Sequence, residues 1–177
     1  MKKIWYTWQS EIRYGLLVVG VTLLWMVGEN ILVTVYQQPS WGNVTGALAV
    51  IIPVVGYWLM FSEVAKRHKT LSWTQAMKSG VAMTLTVALI GAIVVALYAW
   101  LVPQPIALYL NYLREQYEQT DMSPGEISEA LILVSGYFRP HIQAISTIIG
   151  SIVTGLVLTG AMTPMIQWRL KHHKTQS

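Results

Sequence analysis

The sequence contains no cysteine and very little charge. Only 11% of its 177 residues are Asp, Glu, Lys or Arg, against about 25% in an ordinary soluble domain. The first absence removes disulfide frameworks, thiolate zinc sites, iron–sulfur ligation and cysteine nucleophiles. The second removes a water-soluble surface. With hydrophobic residues at 54%, the apolar excess has to face something other than water. There is also no His-Glu-x-x-His zinc motif, no Walker loop and no nucleophile elbow. The four histidines, His68, His141, His172 and His173, avoid the middle of every apolar run, so a bis-histidine haem is not supported. His172 and His173 stand between Lys171 and Lys174 and read as a solvated cationic tail. No catalytic, cofactor-binding or metal site is expected, and no enzymatic activity.

What the sequence does have is four long apolar windows. A spanning helix needs about 20 mostly apolar residues, because ~30 Å of hydrocarbon is crossed at ~1.5 Å per residue. Tyr14–Tyr36, Val44–Ser62, Gly80–Val102 and Ile142–Ile166 all qualify, and Glu29 is the one acid or base inside them. The expected fold is an all-α membrane protein, a single domain of four transmembrane helices. Residues 4–13 form an amphipathic lead-in, with Ile4, Trp5, Trp8 and Ile12 at helical spacing. It reads as an aromatic belt at the headgroups, with an interfacial foot as the alternative.

The charges set orientation. Lys2, Lys3 and Arg13 precede the first window. Lys66, Arg67, Lys69 and Lys78 join the second to the third, and Arg169, Lys171 and Lys174 follow the fourth. That is ten of the 12 basic residues. The remaining two, Arg114 and Arg139, lie in the long link at 103–141. The positive-inside rule puts both termini in the cytoplasm, in a bacterial inner membrane, and the long link outside. A formal charge of +4 distributed in this way is topogenic and does not point to nucleic acid.

The outer link has its own pattern. Ile106, Leu110, Leu113 and Tyr117 share one helical face. Ser123-Pro124-Gly125-Glu126 is a capping box with proline at the first helical position. Ile127, Ala130, Leu131, Val134 and Phe138 continue an apolar face beyond it. The spacing predicts an amphipathic helical hairpin joined near Asp121–Gly125. It folds onto the outer ends of the spans, lies in the interface, or docks a partner.

Small residues predict how the spans meet, since lipid tails are as apolar as leucine and close packing has to drive association. Gly80, Thr84, Ala88, Ala92 and Ala96 recur every four residues. Ser151, Gly155 and Thr159 do the same in the fourth span. The expected contact is between these two spans within one chain; a homodimer seam is the alternative. Pro53 should kink the second span near Ala49 or Val50. Glu29, with Asn30 beside it, has to pair, protonate or reach water. A hydrogen bond to His141 or Arg139 at the outer end of the fourth span is the expected structural role. A proton- or cation-carrying role would mark a small transporter or channel subunit. The broader expectation is an interaction or accessory protein whose partners are the bilayer, a second copy of itself or another membrane protein.

Tyr14-Gly15-Leu16, the segment Leu71-Ser72-Trp73-Thr74-Gln75-Ala76-Met77-Lys78-Ser79-Gly80 and Pro103 together resemble an uncharacterised bacterial family. Its members are four-span membrane proteins classed only as a domain of unknown function. The resemblance implies the four-span fold and brings no reaction, ligand or site residue with it. Ser72 or Thr70 is expected to cap an interfacial helix leading into the third span, with Trp73 at the headgroups.

Overall fold

A computed structural model describes the backbone of residues 2–68, 70–102 and 104–175, with side chains for 8–40, 42, 44–68, 70–102 and 104–172. The expected positions of the Ile4, Trp5, Lys2, Lys3, Lys69, Pro103, His173 and Lys174 side chains fall outside that set. The chain is all helical among the described residues. In order it runs α1 (Lys2–Tyr36), α2 (Trp41–Ala49), α3 (Ile51–His68), α4 (Trp73–Leu101), α5 (Ile106–Glu118), α6 (Pro124–Tyr137) and α7 (Pro140–Thr175). Among the described residues four stretches are long and apolar enough to cross a membrane: Trp8–Tyr36, Val44–His68, Trp73–Leu101 and Pro140–His172.

Local chemistry explains the helix ends. Gln37 adopts a left-handed φ of 54° and ends α1, and its side-chain amide donates to the Thr34 carbonyl at 2.6 Å. Pro53 has no amide for the Ala49 carbonyl, and the second span breaks into α2 and α3 at Val50. Ser72 caps α4 in a reciprocal box with Gln75. That cap opens one continuous helix of 29 residues, so the expected interfacial helix before the third span is simply its first turns. The lead-in to α1 is likewise not a separate element. No proline or glycine interrupts residues 4–13, and Ser10 and Glu11 are buried in the bundle.

The four spans form a ring in the order α1, α4, α7, α3, with α1 touching α3, so α1 and α7 are diagonal and do not meet among the described residues. The core lies toward the α3–α4 turn. Met60 and Phe61 of α3, with Ala76 and Met83 of α4, are completely buried. Val18, Tyr57, Leu71, Met162 and Ile166 surround them. The outward faces are as apolar as the core: Leu24, Leu89, Ile93, Leu97, Leu156 and Val157 are all exposed, which suits lipid and not water. At the other end α5 and α6 pack on each other as a hairpin. The Ser123–Glu126 capping box with Pro124 opens α6, Ile127 and Leu131 are buried, and Tyr109 meets Phe138 edge-on at 5.7 Å.

Candidate functional site

The bundle is closed at the α3–α4 end and open at the hairpin end, and the side chains account for both. At the closed end Glu11 of α1 is only 2% exposed. A buried carboxylate is costly unless hydrogen-bonded. Here Ser79 of α4 donates to Oε1 at 2.8 Å, and Ser10 donates to Oε2 at 2.8 Å. Arg67 of α3 donates in turn to Ser10 Oγ at 2.6 Å. Beside this group Glu63 accepts from Arg13 at 2.5 Å and from Tyr14 at 2.9 Å. Arg67 completes an i,i+4 ion pair with Glu63 at 3.5 Å. Three helices are thus tied together by acids, hydroxyls and guanidinium groups at one depth.

Above this cluster α4 and α7 approach closely. Thr159 of α7 lies against Gly80, and Thr84 of α4 lies against Gly155, a reciprocal fit of methyl and hydroxyl into glycine. Thr84 Oγ1 donates to the Gly80 carbonyl at 2.7 Å. Its hydroxyl proton is therefore used, and Tyr57 of α3 donates to Thr84 Oγ1 at 2.5 Å. Gly80, Thr84, Ala88, Ala92, Gly155 and Thr159 are all buried within the chain. These residues of α4 and α7 face each other within the chain. Ala96 and Ser151 lie further toward the hairpin and are only partly buried.

Past Tyr57 the ring opens. A cleft of about 320 Å³ runs between the spans, lined by Val18, Thr22 and Met26 of α1, Gly46 and Ala49 of α2, Pro53 of α3, Gly91 of α4 and Thr147, Gly150 and Thr154 of α7. Among the described residues α3 touches α7 but α2 does not, and Gly46 and Gly150, on the two sides of the cleft, are exposed, so the cleft opens sideways between α2 and α7. Met26 also borders a second space, of about 530 Å³, under the hairpin. This chamber is lined by Glu29 and Asn30 of α1, Tyr98 of α4, Gln104 before α5, Tyr109 of α5 and Tyr137 and Phe138 at the end of α6. Thr45 donates to Glu29 Oε1 at 2.7 Å, and Trp25 donates to the Thr45 carbonyl at 3.2 Å. These two bonds hold α2 on α1. Tyr98 donates to the Met26 carbonyl at 3.2 Å and holds α4 there as well.

Of the expected polar group, Glu29 and Asn30 share the chamber, but His141 does not line it. His141 is exposed on the first turn of α7. The partner of Glu29 is Thr45 and neither His141 nor Arg139, because α7 lies diagonally across the ring from α1. The Glu11 cluster was not anticipated. Glu11 and Arg13 lie just before the first apolar window, and Glu63 and Arg67 just after the second. Two antiparallel spans bring those ends side by side, and that register was the signal for it. Among the described residues no three of His, Asp and Glu converge as metal ligands would.

Among the described residues, seven helices with a lipid-compatible exterior and four candidate spans define an all-α membrane protein. Residues 13–163 match the family described as protein of unknown function (DUF4199), and the chain belongs to that family. No curated protein matches the chain, and no solved structure does.

Proposed function

We propose that this protein acts by binding and not by catalysis, as an interaction or accessory subunit of a bacterial cytoplasmic membrane. Both termini face the cytoplasm, and the hairpin end faces outward. The distribution of basic residues, ten against two, supports that orientation. The uneven packing carries the binding reading. The end joined by α3 and α4 is closed by fully buried side chains and the Glu11 cluster. The hairpin end holds a cleft and a chamber, with volumes in the range of about 300–1,000 Å³ usual for ligand sites. A photoreactive amino acid at Thr154, which lines the cleft, should yield a discrete adduct in intact cells. The same group at Val157, on the exposed face of α7, should give only diffuse lipid crosslinks. Identical patterns at both positions would remove the basis for the reading.

A second reading, a small transporter or channel subunit using Glu29, draws support from the acid's place on the chamber wall. It requires the closed end to open, so a crosslink between α1 and α4 at that end, away from the Glu11 hydrogen bonds, would abolish transport while leaving binding intact.

A further inference from the structure

We infer that the chamber and the cleft form one site for an amphiphile with an ammonium head and an apolar tail, the head at Glu29 and the tail between the spans. This deepens the binding reading above and rests on it. The chamber wall carries one carboxylate, Glu29, and four aromatic rings, Tyr98, Tyr109, Tyr137 and Phe138; no lysine, arginine or histidine lines it among the described residues. Ring faces attract organic cations, and several rings around a quaternary ammonium form the familiar aromatic cage. Tyr109 and Phe138 meet edge to face at 70°, which fixes the two rings against each other on the wall. An anionic head would meet Glu29 with no counter-charge on the wall. Thr45 engages Oε1 of Glu29, and a carboxylate has acceptor capacity for more than one donor.

Below Met26 the lining loses all charge. About 320 Å³ holds on the order of ten water-sized groups at ~30 Å³ each, which suits a medium-length alkyl tail. At the floor the Tyr57 hydroxyl is satisfied by Thr84, and Thr84 by the Gly80 carbonyl; the other polar groups of the lining are the small hydroxyls of Thr22, Thr147, Ser151 and Thr154. The sideways opening between α2 and α7 gives a tail access from the bilayer.

The test titrates the full-length protein in lipid nanodiscs with dodecyltrimethylammonium, after subtraction of empty discs. Dodecyl maltoside is the neutral-headed comparator and tetramethylammonium the tailless one. Dodecyltrimethylammonium should bind about tenfold more tightly than either. Glu29→Gln keeps an acceptor for Thr45 and should melt like the parent, yet lose about tenfold in affinity for the cationic amphiphile alone. Should Glu29→Gln melt lower, Phe138→Leu supplies the reading through a several-fold loss confined to the two ammonium ligands. Gly150 has open space where a side chain would begin, so Gly150→Leu should fill the cleft and erase the advantage of the tail, leaving tetramethylammonium binding unchanged. Equal binding of cationic and neutral amphiphiles, both blocked by Gly150→Leu, would overturn the ammonium assignment and leave the binding reading standing. Indifference of both amphiphiles to Gly150→Leu would overturn both.

Discussion

Gly150 and Gly155 are five residues apart on one helix, and the same substitution should act on them with opposite sign. A Cβ at Gly155 would lie 2.6 Å from the Tyr57 hydroxyl and 2.7 Å from Thr84 Cγ2, with Thr84 Oγ1 closer still. These are groups of two other helices, so α7 has to move off α4 and α3. Overpacking of this kind costs about 1–3 kcal/mol, and loosening the Tyr57–Thr84 hydrogen bond adds about 1 kcal/mol. Gly155→Ala should therefore destabilise by roughly 2–4 kcal/mol. At Gly150 nothing lies within 4 Å of the new methyl. Only the helix propensity changes there, in favour of alanine by up to about 1 kcal/mol. Thermal unfolding in mild detergent, followed by circular dichroism, should place the two melting points on opposite sides of the parent, roughly ten degrees apart. Thr84→Ala removes two of the three clashing atoms, the nearest among them, and leaves the Tyr57 hydroxyl; it should recover part of the Gly155→Ala loss, a coupling that distant sites would not show. Indistinguishable melting of Gly155→Ala and Gly150→Ala would mean that α4 and α7 do not interlock through these residues.

The closed end should be sensitive to its buried acid: Ser79→Ala strips one donor from Glu11 and should cost about 1.5–3 kcal/mol in the same melting assay; an unchanged melting point would show that water or a proton compensates. Topology follows from charge, so a cysteine at Thr120 should react with an impermeant maleimide in intact cells and one at Ser177 should not; the reverse pattern would invert the molecule. In the hairpin, hydrogen bonds from the Ser123 hydroxyl and backbone amide hold the Glu126 carboxyl below its ordinary range. A depressed carboxylate pKa contributes stability that is complete above its unfolded value and lost as pH falls through the folded one. Intrinsic-rate-corrected amide protection in the first turn of α6 should thus drop on acidification below roughly pH 4 and stay flat in Glu126→Gln.

The helices were legible because their signals are local. The apolar windows, the Ser72 and Ser123 caps, and the break forced by Pro53 each depend on residues within a few positions of one another. The partner of Glu29 was not legible, because it depends on which spans are neighbours in the ring. Sequence places the outer ends of α1 and α7 at the same depth but cannot tell that they are diagonal, and Thr45 was hidden at the start of a span. The chamber rings escaped for a related reason. Tyr98, Tyr109 and Phe138 lie on three helices, and each reads alone as an interfacial aromatic or a stripe residue.

Small residues carry the last distinction. Gly155 and Gly150 look alike in sequence, yet the first seats Thr84 and the second faces open space. The difference lies in the helix opposite. In the closed half α3 packs on α7, whereas α2, on the far side of the break at Val50 beside Pro53, makes no contact with α7 among the described residues. Gly46 and Gly150 then stand on the two sides of the cleft, both with room for a side chain. Restoring the missing amide with Pro53→Ala should let α2 continue the direction of α3 and close the cleft onto α7. The chain has no cysteine of its own, so Gly46→Cys with Gly150→Cys reports the gap directly. Oxidative crosslinking between them should be slow with Pro53 in place and severalfold faster in the Pro53→Ala background, with a parallel loss of cleft binding. Equal crosslinking in both backgrounds would show that something other than the proline break holds the outer half open.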